Sequence, residues 1–133
     1  MEKRYINPWS WAEKYGISHA VEVTKFESLL VVGGQASVDD QGETVSVGDM
    51  RGQIAQAMDN LEAVLAGAGY EGKDLIRLDY NVTVGDIDTF VENVEVAASR
   101  LEGWNVTPPG VLVGVARLGF PEWMVEIEAM AAK

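Results

Sequence analysis

At 133 residues with no cysteine, the chain can bury one substantial core but cannot build a disulfide, a thiolate nucleophile or a thiolate metal site. Twenty-one acidic residues against ten basic ones give a net charge of −11, and no Lys/Arg cluster is available to neutralise phosphates, which argues against nucleic acid as a partner. No apolar run approaches the roughly 20 residues a membrane-spanning helix needs, and the N-terminus lacks the apolar core of a secretory signal, so no membrane role is expected and the cytoplasm is the expected location.

In chain order, residues 1–15 read as a polar lead-in to the single domain expected over residues 1–133. Within it Trp9 and Trp11 read as packing anchors rather than cofactor contacts. His19–Thr24 (HAVEVT) and Leu29–Val32 (LLVV) read as two strands joined by a turn at Lys25–Ser28. Gly33 and Gly34 end the second strand, where a side chain would block close backbone approach. Gln41-Gly42-Glu43 is a turn signal, and Thr44–Val47 reads as a short third strand. Asp49 is placed to cap a helix that begins at Met50, whose apolar stripe recurs at Ile54, Met58, Leu61 and Leu65 before Gly67, Gly69 and Gly72 stop it. Leu75–Val84 reads as a strand with Ile76, Leu78, Tyr80 and Val82 on one face. Thr89 with Glu92 fits a capping box, and Phe90, Val94, Ala97 and Leu101 form the apolar face of a second helix that Gly103 closes.

The last stretch, TPPGVLVGVARLGFPEWMVEIEAMA, carries the strongest pattern. Pro108 and Pro109 mark a stiff entry from a loop, and Val111–Val115 reads as a short buried strand. Beyond Gly119 and Pro121 a final strand, Met124–Ala129, alternates: Val125, Ile127 and Ala129 share one face, Glu126 and Glu128 the other. Carboxylates inside an apolar strand are costly unless paired, hydrogen-bonded or at an interface, which makes Glu126 and Glu128 the first candidates for chemistry. The predicted order is β-β-β-α-β-α-β-β, an α+β architecture with two helices on one face of a mixed sheet.

Four segments together resemble one known family. VGVARLGFPEWMVEIEAMA is similar to the VEVARLPKDVxVEIEAIA signature of YjgF/RidA proteins, GISHAVEV to their GxYSQAV, and VVGGQASVD to their ITSGQIPVD. The segment DMRGQIAQAMDNLEAVLAGAGYEGKDL follows their DxxxQxxxxLxNLxAxLxxAGxxxxDV pattern without a gap. The resemblance spans roughly residues 16 to 131. It implies a chorismate-mutase-like fold, a homotrimer and a small-molecule ligand cleft at each subunit boundary. For the deaminase branch it implies hydrolysis of enamines and imines to ketoacids and ammonia, with no metal and no organic cofactor. Members are often labelled endoribonucleases, and the charge of this chain argues against that label.

Carried over by position, the resemblance makes Glu126 the water-positioning carboxylate and places Gly34 in the wall of the cleft; the residues alone fit equally a structural strand carboxylate at a subunit seam and a bulge or strand bend at the glycine. The arginine that grips the substrate carboxylate in the deaminases falls on Gly110, which has no guanidinium to offer. Simple amino-acid-derived imines are therefore expected to be poor substrates, and a less anionic or larger ligand is expected, since Gly110 and Ile17 would both open space. The family's glutamine in YSQAV falls on His19, the only histidine. His19 is either a surface or hydrogen-bonded residue, or a base or cation facing the cleft. Arg117 is expected to pair with Glu126 or Glu128. The candidate ligand contacts are Ile17, His19, Gly34, Gly110 and Leu112, with Glu126 as the candidate catalytic group. A non-catalytic metabolite-binding trimer is the alternative function.

Overall fold

A computed structural model describes residues 1–133. The strands are β1 (Glu2–Ile6), β2 (Ala20–Thr24), β3 (Leu29–Ala36), β4 (Leu75–Thr83), β5 (Leu112–Val115) and β6 (Val125–Ala132). The helices are α1 (Met50–Gly67), α2 (Ile87–Glu92) and α3 (Glu95–Gly103). Four strands form a mixed sheet in the order β3-β6-β4-β5, antiparallel except for the β4–β5 pair. No helix is long and apolar enough to cross a membrane.

The α1 stripe behaves as its spacing requires. Ile54, Met58, Leu61 and Leu65 are fully buried against the sheet, and the Asp49 carboxylate accepts from Gly52 N at 3.0 Å as the N-cap. From the sheet, Leu78, Tyr80 and Val82 of β4 and Val125, Ile127, Ala129 and Ala131 of β6 complete the core. All the helices lie on this face. The opposite face, which carries Glu126, Glu128, Asn81 and Asp79, is left open.

Several expectations need correction. The lead-in holds a strand, β1, which pairs antiparallel with β2 from Glu2↔Thr24 to Ile6↔Ala20. Thr44–Val47 is not a strand: Thr44 makes one isolated bridge to Val38, and positive φ at Ser46 and Gly48 bends the chain away. The second strand does not end at the glycines but runs through them to Ala36, with a register shift between Val32 and Gln35. In β4 a register shift between Leu75 and Arg77 puts Leu75, rather than Ile76, in the core.

The predicted second helix is two helices. It starts at Ile87, so Thr89 is inside it and caps nothing. The Asn93 side chain donates to Thr89 O at 2.7 Å, competing for the carbonyl of the preceding turn, and the helix breaks there. The final departure is β5: Val111, Leu112 and Val113 are exposed, because β5 is an edge strand with no neighbour beyond it in the chain.

Candidate functional site

The candidate residues fall into two groups on opposite faces of the sheet. On the open face, Glu126 sits near the start of β6, between Ala36 of β3 and Asn81 of β4. The Gly34 backbone lies directly against its carboxylate, and a Cβ built on Gly34 would come within 2.7 Å of Glu126 Cδ. The bulge at Gly33–Gly34 and the missing side chain together make room for the glutamate. Glu126 has no hydrogen-bond or ion-pair partner. Partial burial raises its carboxyl above the ordinary range, and the nearby Glu128 charge adds to the rise. Glu128 is held by Asn81, whose Nδ2 donates to Oε2 at 3.0 Å.

On the helix side lies a cavity of about 270 Å³. Its wall includes Ile17, Gly110 and Leu112 together with Tyr80, Phe90 and Val94. The hairpin side of this wall is fastened by side chains. Asn7 Oδ1 accepts from His19 N at 2.9 Å, and the Ser18 and Thr107 hydroxyls share a hydrogen bond at 2.7 Å. The β5 side is fastened by a ladder: Leu78 N donates to Pro109 O at 3.0 Å and Tyr80 N to Val111 O at 2.9 Å. Asp79 adds a clamp, accepting from Val111 N at 2.9 Å and Arg77 Nε at 2.7 Å.

Gly110 fits inside that ladder with no room to spare. A Cβ there would stand 2.6 Å from the Leu78 carbonyl carbon, which is backbone and cannot swing away. The glycine therefore does not open space, as expected from its missing side chain; it lets one backbone close on another.

His19 joins neither group. Its ring is met edge-on by Trp9 and Trp11, with centroids at 5.2 and 4.9 Å, and Nε2 is buried without a hydrogen-bond partner. Both tryptophans are otherwise exposed, so the surface they pack against within the chain is this histidine. Arg117 pairs with neither Glu126 nor Glu128. It has no hydrogen bond or ion pair, whereas every other Lys and Arg has an acceptor, a carboxylate or an aromatic ring. No three His, Asp or Glu side chains converge as a metal site would require.

Gln53, the glutamine of the DxxxQ pattern, is a positioning residue. It is fully buried, its Nε2 donating to Glu122 O at 2.9 Å and its Oε1 accepting from Met124 N at 2.9 Å. The first turns of α1 thus hold the chain two residues before Glu126. A glutamine within a buried helical stripe was the available signal. The cavity gave none, because Phe90 and Val94 read equally well as plain core.

The family model described as endoribonuclease L-PSP matches residues 13–133. A RutC family protein of Pyrococcus horikoshii is 31% identical over 128 residues, covering 96% of this chain and 89% of that protein. The crystal structure of YyfB from Yersinia pestis, described as a Rid-family protein of unknown function, superposes with a TM-score of 0.85 at 30% identity and full coverage of both chains. TdcF of E. coli, solved with bound serine, superposes with a TM-score of 0.70 at 27% identity, covering 96% of this chain and 90% of that one.

Proposed function

The chain belongs to the YjgF/RidA family, and on that footing we propose that it hydrolyses a C=N bond of a small, weakly charged molecule in a cleft shared between subunits of a homotrimer. One observation carries this reading. Glu126 with Gly34, and Ile17 with Gly110 and Leu112, stand on opposite faces of one sheet. A single copy cannot offer both to one ligand, whereas a closed ring can set the open face of one copy against the cavity of the next.

In the proposed reaction Glu126 holds a water and takes its proton as the oxygen attacks the C=N carbon. The electron pair of the bond moves to nitrogen, which receives the proton. The resulting carbinolamine collapses to a carbonyl and releases ammonia. A carboxyl raised by partial burial is a stronger base than a solvated one, which suits it to this transfer near neutral pH. Gly110 provides no cation for a substrate carboxylate, so the preferred substrate is neutral. The net charge of −11 speaks against RNA, and the reading does not include a ribonuclease.

The test is ammonia release from freshly generated 2-iminopropanoate and from the neutral imine of acetophenone. The expected result is acceleration of both, larger for the neutral imine, with Glu126→Gln slowing it by about 10²- to 10⁴-fold. No acceleration of either imine by the native protein contradicts the hydrolase reading. Ligand binding that survives such a result, and is untouched by Glu126→Gln, would leave a metabolite-binding trimer.

A further inference from the structure

The chain has five lysines, and four of them are exposed beside a group that attracts a cation. Lys25 sits on Glu2, Lys73 on Glu71, and Lys14 and Lys133 over the rings of Tyr15 and Tyr70. Lys3 differs from all of them. It is half-buried on β1 and pairs with no carboxylate; its Nζ donates instead to two backbone carbonyls, Lys73 O and, at 2.8 Å, Leu75 O. One carbonyl belongs to the short 3-10 turn Gly72–Asp74 and the other to the first residue of β4. Burial holds the Lys3 amine below the ordinary lysine range, with the Asp74 charge opposing it.

A neutral amine has two N–H groups and one lone pair. At Lys3 the two carbonyls take both N–H groups, which leaves the lone pair as a nucleophile. The bond to Lys73 O lies at the surface, so a small reagent can reach the nitrogen. We propose that Lys3 is an acylation site that accepts the acyl group of a small activated donor such as an acyl phosphate, and that its acylation unlatches the β1–β2 hairpin from the start of β4. The lone pair adds to the acyl carbon and the bond from that carbon to the phosphate oxygen breaks. Phosphate leaves with the electron pair, and the nitrogen sheds one proton to water. The product amide keeps a single N–H, so it cannot serve both carbonyls, and the charge is gone. The loss reaches the hairpin because β1 and β2 form a sheet of their own, with no strand ladder to the other four strands. Lys3 fastens one end of that hairpin, and the Ser18–Thr107 hydrogen bond fastens the chain at the other.

The test treats the native protein with acetyl phosphate at pH 8 and follows each lysine by peptide mass spectrometry. The Met1 amine is labelled alongside, so the comparison is among the five lysines. Lys3 should be acetylated first, several-fold ahead of the rest, and the lead should vanish in urea. Equal rates in the folded protein, or a lead that persists in urea, would overturn the assignment of the site. Hydrogen exchange then tests the latch. Acetylation should speed exchange of the β1 and β2 backbone amides, and Lys3→Gln should do the same without reagent. Lys3→Arg, which keeps charge and donors but takes no acyl group, should exchange slowly before and after treatment. Hairpin exchange that is unchanged by acetylation of Lys3, or that rises equally in treated Lys3→Arg, would overturn the latch.

Discussion

At the residue scale, two glycines that look alike in sequence do opposite things. Gly34 faces the end of a flexible side chain and Gly110 faces backbone. Gly34→Ala should therefore fold with a melting temperature close to that of the native protein while pushing the Glu126 carboxylate into solvent, and imine hydrolysis should fall with it. Gly110→Ala should cost about 1–3 kcal/mol in denaturant unfolding, as overpacking against an unyielding neighbour does. Gly110→Arg should be destabilised likewise and should gain no activity on 2-iminopropanoate. A Gly110→Ala protein as stable as the native one would show that the β4–β5 approach is looser than described.

The glutamate gives a pH signature. Its carboxyl is raised in the folded protein by burial and by Glu128. Between the ordinary carboxyl range and that raised value, the unfolded chain has lost its proton and the folded chain keeps it. Stability therefore falls as pH climbs through that window. Glu126→Gln removes the effect, so its stability relative to the native protein should rise from pH 4 toward neutrality, as urea midpoints at several pH values would reveal. A constant difference between the two proteins would mean that Glu126 titrates normally. Sequence alternation placed Glu126 and Glu128 on one face. It could not tell which is unpartnered, because Asn81, which holds Glu128, lies far away in sequence on the neighbouring strand.

At the scale of elements, legibility followed how local each signal was. The cap and stripe of α1 lie within one element and follow from the sequence to within a residue. The break between α2 and α3 depends on one asparagine side chain taking a carbonyl, and periodicity is blind to that. β1 was missed because its alternation is short and mostly polar, and its partner, β2, lies beyond a long connection. The apolar run of β5 predicted burial, yet it forms an edge. Gln53 joins α1 to the approach to Glu126, so Gln53→Leu should leave the Met124 N–H and the Glu122 carbonyl unpaired. The expected loss is about 1–3 kcal/mol per group left buried without a partner, with a drop in kcat larger than the change in KM. A stable Gln53→Leu protein with native kinetics would remove Gln53 from the account.

At the scale of the whole molecule, the helices cover one face of the sheet and leave the other open, with Val31 71% exposed on β3 and Val111, Leu112 and Val113 exposed along the opposite edge. Apolar strand edges and faces of this kind are ordinarily covered or blunted, and a closed trimer would cover them. The resemblance to a known family conveyed the fold. That Glu126 and the wall formed by Ile17, Gly110 and Leu112 lie on opposite faces became visible only when β6 and β5 were placed in one sheet.

The most direct test of the shared cleft is complementation. Glu126→Gln removes the open-face half, and Ile17→Trp blocks the cavity half. Each variant alone should be inactive on the acetophenone imine. Unfolding the two together and refolding them as mixed trimers should restore activity, because some sites then draw an intact half from each chain. Mixtures as inactive as the separate variants, with mixed trimers verified by mass, would mean that the two halves never meet in one site.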